Sequence, residues 1–321
     1  QWAQSRPGKS GRQRVTVRFS FYLRVAVALI VLLGAAVALF EWRRSATQFD
    51  EKGLLSSLPR DRAVKVYLDA DALRAGGLLD SIAGSQTTEE PDYRHFIEQT
   101  GFDYRRDLNA AAASFLNGDV YIAARGHFDW KRLSEYARSQ HGECSGSFCS
   151  MPASQPKRYI SFYPLRDNVL ALAVTGGQRG AAGIAAPGSQ RADAPDPVSS
   201  SPVWISAPGT AFRDLSGLPD GSHILSPLAD AEEASFSVGA SKIQLDAICS
   251  SPEVAASVVV KFTATTNLLR SMLQRDKLTP SPADLSGVLV AGRFETRASH
   301  AIGTWPIQKP FIDSLLRGAA R

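Results

Sequence analysis

The rhythm of hydrophobic and polar positions divides the chain into three regimes. Near the start, residues 25–40 (VAVALIVLLGAAVALF) carry no polar side chain. Extended back through Phe21, Tyr22, Leu23 and Arg24, the run reaches twenty residues. At about 1.5 Å per helical residue it would span roughly 30 Å, the hydrocarbon thickness of a bilayer. The pattern predicts a transmembrane helix over 21–42, preceded by a tail (1–20) and followed by a juxtamembrane segment (43–61).

Past residue 62 the period shortens. VKVYL at 64–68 alternates as a strand does. Asp69 or Asp71 can cap a helix running toward Ile82, and Thr88-Glu-Glu-Pro91 opens another that Gly101 stops. Strands at 112–116 and 120–124 flank Asn117-Gly118-Asp119, a strong hairpin signal. Asp129 caps a helix with Trp130, Leu133, Tyr136 and Ala137 on one face, closed by Gly142. A second hairpin follows at 159–165 and 169–174. Residues 183–202 (GIAAPGSQRADAPDPVSSSP) read as a linker.

The third regime repeats the second. It predicts a strand at 203–206, then a hairpin at 234–238 and 243–249. Ser251-Pro252-Glu253 starts a helix reaching about Arg275, and a hairpin at 285–294 and 299–306 precedes a last helix from Lys309. Residues 111–137 and 232–258 share A-S-F, a turn, an apolar strand and a capped helix. The expected fold class is α+β: a single N-terminal transmembrane helix followed by an exported region of two weakly repeated α+β lobes, 62–182 and 203–318, with antiparallel hairpin-rich sheets.

Charge sets the orientation. The chain has 321 residues and a formal net charge of +5. Arg6, Lys9, Arg12, Arg14, Arg18 and Arg24 lie within the first 24 residues with no acid among them, so the excess belongs to the tail. The positive-inside rule then keeps the N-terminus cytoplasmic and places the rest across the membrane. Tyr22, Arg24, Trp42, Arg43 and Arg44 are the membrane-interface anchors, by aromatic preference and snorkelling. Ala36-Val37-Ala38 leaves a second reading, secretion after signal-peptide cleavage near Ala38. The expected location is the cell membrane, and the lipid bilayer is the partner of residues 21–42.

Chemistry is sparse. Cys144 and Cys149, in ECSGSFC, are a disulfide candidate for an oxidising compartment. Cys249 follows an apolar strand and reads as a buried thiol. The five histidines, at 95, 127, 141, 223 and 300, have no metal-ligand spacing. Gly142-Glu-Cys144-Ser-Gly146 has the outline of a nucleophile elbow but not the strand-turn-helix context it needs. Gly176–Gly180 lacks the spacing of a dinucleotide loop. Asp69 with Asp71 and Glu232 with Glu233 read as caps and solvated faces, and Arg105-Arg106 and Lys157-Arg158 as surface ion pairs. No basic patch interleaves with aromatics beyond the tail, so no nucleic acid is expected. No catalytic residue, cofactor or metal is assigned. The expectation is a single-pass, membrane-anchored extracytoplasmic protein acting as a non-catalytic interaction or scaffold module with a protein partner. The alternatives are a small-molecule-binding module with its site between the lobes, and an anchored hydrolase.

Overall fold

Among the described residues twelve strands, all paired antiparallel, make one sheet in the order β11-β12-β10-β9-β8-β1-β2-β3-β7-β6-β5-β4. The computed structural model describes residues 50–59, 62–79, 91–184, 201–213, 222–239 and 241–316. The transmembrane segment expected at 21–42, its anchors and most of the linker lie outside them. Among the described residues no helix is long and apolar enough to cross a membrane. Residues 49–321 form one compact unit.

The first half contributes α1 (Glu51–Ser57), β1 (Val64–Asp69), α2 (Ala70–Ala75), α3 (Pro91–Thr100), α4 (Tyr104–Asp107), β2 (Leu108–Leu116), β3 (Asp119–Gly126), α5 (Trp130–Ser139), β4 (Glu143–Ser145), β5 (Phe148–Pro152), β6 (Tyr159–Arg166) and β7 (Val169–Thr175). The second contributes β8 (Val203–Pro208), β9 (Glu233–Val238), β10 (Lys242–Ile248), α6 (Pro252–Arg275), α7 (Leu285–Val290), β11 (Arg293–Arg297), β12 (His300–Pro306) and α8 (Lys309–Leu316). Short 3₁₀ turns connect them.

The expected hairpins are present, but the halves share one sheet rather than building two. β1 and β8 pair antiparallel at the centre, Val66 opposite Ile205 and Tyr67 opposite Trp204. Each strand would otherwise leave a bare edge of unpaired backbone groups, and their pairing removes both. On either side of that seam the order is the same: β1-β2-β3-β7-β6 and β8-β9-β10-β12-β11. The β4–β5 hairpin extends the first half only. The Asn117-Gly118 turn has φ of 52° and 82°, as a two-residue hairpin of matching twist needs. The sequence-predicted strand at 285–294 is in part a helix. Asp284 accepts hydrogen bonds from the Ser286 and Gly287 amides and starts α7, and only residues 293–297 pair as β11.

Among the described residues, packed clusters lie on both faces of the sheet. On one face of the first half, α1 sets Leu54, Leu55 and Leu58 onto Ala110, Ala112, Ala123 and Ala171, with Tyr67, Trp204 and Ile184 around them. The alanine floor lets the helix sit close. On the other face, α6 buries Ala255, Val258 and Phe262 against β9, β10 and β12. Phe262 stacks on Phe294 at 5.2 Å and meets the edge of Trp305. Gly303 makes the room, since a Cβ there would come within 3.1–3.2 Å of both rings. α5 lies on the same face as α6, packing Leu133 and Ala137 onto Cys149, Phe162, Leu170 and Leu172.

Candidate functional site

The face that carries α5 and α6 has an apolar ladder of cross-strand partners. One rung series runs Leu245–Phe236–Ile205–Val66–Ala113–Ile122–Leu172–Phe162. Another runs Val64–Phe115–Val120–Val174–Ile160. α6 covers the β10 and β12 end, and α5 covers the β5–β7 end. Between them, at β8, β1 and β2, the ladder is open: Phe115 is 44% and Ile205 39% exposed. Strand alternation puts these side chains outward because their neighbours, Ser114 and Ser206, are buried on the opposite face. The result is an apolar trough floored by Val64, Val66, Phe115 and Ile205 and walled at a distance by two helices.

The second feature is a cleft of about 560 Å³ where the turn after α3, the end of α4 and the β3–α5 connection meet. Phe102, Phe128 and Trp130 wall it, with Asp107, His127, Asp129 and Arg132 supplying polar atoms. Phe102 stacks on Phe128 at 5.1 Å, and Phe128 lies 5.3 Å from Trp130. The His127 amide donates to the Asp107 carbonyl at 2.8 Å. A Cβ at Gly126 would sit 2.5 Å from that carbonyl, so the close approach needs glycine. Arg106 grips both Asp107 oxygens at 2.9 Å, and this holds the Asp107 carboxyl below its ordinary pKa.

Of the sequence-predicted residues, Cys144 and Cys149 form the disulfide, facing one another across β4 and β5. Tyr22, Arg24, Trp42, Arg43 and Arg44 fall outside the described residues. Cys249 is a buried free thiol whose pKa burial pushes up. Asp69 caps α2, Asp71 holds Arg74 and Asn109, and Glu233 accepts a hydrogen bond from Ser206. Arg158 is more than a surface ion: it donates to Asp119 at 2.9 Å and to the Gly118 and Val174 carbonyls at 2.6 and 2.7 Å, clipping two hairpins together. His300 pairs with Asp246 at 2.8 Å, but the Ser235 hydroxyl turns to the Asp246 carbonyl. Among the described residues no cluster of three potential metal ligands occurs. Sequence reasoning missed both the trough and the cleft. The signals were there in outline: outward apolar positions in β1, β2 and β8, and an aromatic excess around 93–104 and 128–136.

No protein-family description and no curated protein matches the chain. Among solved structures it is similar to three crystal forms (I, III and IV) of a protein named TP0453. The identities are 9–10%, over 82–84% of this chain and 96–98% of theirs, with TM-scores of 0.41–0.42. A likeness at that level says nothing of function. What the structure defines is a mixed α+β protein on one large antiparallel sheet, carrying an open apolar trough.

Proposed function

We propose that the folded part is a non-catalytic interaction module, held at the membrane by residues 21–42 and lying outside the cytoplasm, whose trough receives an apolar helix face of a protein partner. The observation that carries this reading is the open ladder at the sheet centre. Large apolar side chains in mid-strand are ordinarily covered, and a contiguous exposed patch marks an interaction surface. Three strands, β8, β1 and β2, at about 4.8 Å spacing give a floor roughly 10 Å across. That accommodates one helix of about 10–12 Å diameter. The sheet ends are poor docking edges by contrast. β11 alternates Arg293, Glu295 and Arg297, and β4 is only three residues long. The matching strand order of the halves supports a duplicated module, with α5 and α6 as equivalent walls.

The test is site-specific photo-crosslinking of the full chain in intact cells. A photoreactive residue at Ile205 or Phe115 should give a discrete protein adduct, and one at Glu295 should not. Adding Val66→Asp should abolish the Ile205 adduct. Equal labelling at all three sites, or none at the trough, would refute the reading. A reporter fused after residue 60 checks the placement separately: activity confined to the cytosol would overturn it.

A further inference from the structure

We propose that the Phe102–Trp130 cleft is a second, independent binding site, for a small oxyanion borne on an apolar or aromatic body. Its volume of about 560 Å³ lies in the range of small-ligand sites. The charges in it are unevenly matched. Asp107 is fully engaged, by the Arg106 fork and by the Asp103 amide at 2.8 Å. Asp129 caps the first turn of α5, accepting from the Arg132 amide at 3.1 Å, and is exposed at the rim with its charge. The Arg132 guanidinium, by contrast, has no hydrogen-bond or ion-pair partner among the described residues. It is exposed, and its Nη1 lies beside the backbone of Gly101, where a Cβ would come within 2.5 Å of it. Gly101 takes a φ of 73°, the left-handed turn that ends α3. A planar guanidinium with no ion-pair partner among the described residues can meet a carboxylate or phosphate through two parallel hydrogen bonds.

The walls define the rest of the ligand. Phe102, Phe128 and Trp130 form a continuous apolar surface beside the guanidinium. Trp130 is fixed by its Nε1–H, which donates to the Asp167 carbonyl at 2.9 Å. Such a ring wall stacks flat apolar groups, while the exposed His127 offers a further polar contact at the rim. Nothing here depends on the trough, which lies at the centre of the sheet.

The experiment is calorimetric titration of the purified full chain in detergent with phenylacetate, phenyl phosphate and inorganic phosphate, with the ¹⁵N-indole resonance of Trp130 followed in parallel. Phenylacetate or phenyl phosphate should bind saturably and move that resonance, and the tighter of the two names the head group. Inorganic phosphate alone should bind more weakly, lacking the body. Arg132→Gln should weaken binding by about tenfold or more, and Arg132→Lys by less, because a charge remains without the fork. An unchanged melting temperature in both variants shows that the fold is intact. Absence of saturable binding by either aromatic anion, or equal binding by wild type and Arg132→Gln, would overturn the proposal.

Discussion

Removing the bond between Cys144 and Cys149 tests how the edge of the sheet is held. The two residues are five apart in sequence and directly opposed in the β4–β5 hairpin. For a closed loop of about six residues the chain-entropy relation gives roughly 2 kcal/mol of stabilisation at 25 °C. β4 has only three residues and pairs only with β5, so little else restrains it. Cys149 is fully buried against Leu133, Ala137 and Phe162, so Ala is the better replacement there: Ser would bury a hydroxyl. The Cys144→Ala/Cys149→Ala double variant should lose about 2 kcal/mol. At this size that is a melting-temperature drop of about 4–8 °C. The assay pairs thermal unfolding with hydrogen exchange, which should show faster exchange at β4 and the last turn of α5 and none at β10. A second check is thiol counting: denatured but unreduced protein should alkylate only Cys249. An unchanged melting point would mean that the native hairpin is held wholly by its packing under α5. Three alkylated thiols would mean that the bond does not form.

Other outcomes follow from particular contacts. Arg158→Met should destabilise by about 2 kcal/mol, since it strands the Gly118 and Val174 carbonyls and Asp119; urea midpoints would show it, and a change within about 0.5 kcal/mol would contradict the clip. Gly209→Ala should cost on the order of 1–3 kcal/mol, because its Cβ would fall 1.8 Å from the Ala231 carbonyl oxygen; a neutral result in the same assay would be decisive against it. Phe115→Ser with Ile205→Ser should leave the melting point almost unchanged while removing the trough adduct, so a collapse of the fold would show those side chains to be core. Asp107 has a lowered folded pKa, so its contribution is present above the unfolded carboxylate pKa and is lost as pH falls through the folded value. Asp107→Asn should therefore flatten the acid limb of stability below about pH 4, and an identical limb in wild type and variant would refute it.

Much of this architecture could be read from residue order because local chemistry and tertiary context agree there. Asn117-Gly118 allows one tight turn, Asp129 and Ser251 cap α5 and α6 through the amides of Arg132 and Val254, and β2 and β3 alternate. Disagreement appears where neighbours decide. LSGVLV at 285–290 is β-branched in part and reads as a strand, yet Asp284 caps it and α6 shelters it, so it is helical. The alanines of β2 favour a helix by intrinsic propensity, but small side chains are what α1 needs beneath it. EKGLLSS gives too short a pattern to announce α1, and ECS and FCSMP too short a pattern to announce β4 and β5. The cleft was illegible for another reason. Gly101, Asp107 and Arg132 come from three elements, and only the packing of α3 beside α5, through Phe96 and Tyr136 at 5.2 Å, brings them together.

The open trough follows from the repeated topology. In each half a helix leaves the third strand (β3 or β10) and the chain returns to the sheet on the far side from the seam, at β4 or β11. Each helix therefore covers its own outer strands, α5 over β5, β6 and β7, α6 over β10 and β12. Because β1 and β8 pair antiparallel, both crossovers land on the same face at opposite ends. Neither can reach the seam. The opposite face near the seam is closed by α1, with Leu54 and the following Leu58 fully buried, while on the trough face α2 and Leu79 pack over Leu68 and Val203 at one end of the seam and leave the rest open. A soluble surface at that position would be met most simply by polar residues at Val64, Val66, Phe115 and Ile205, as the other face of the second half has with Ser235, Gln244, Asp246 and Thr304. Phe115 and Ile205 are more than a third exposed, so their apolar side chains contribute little to the described core. Their apolar character is what the partner helix proposed for the trough accounts for.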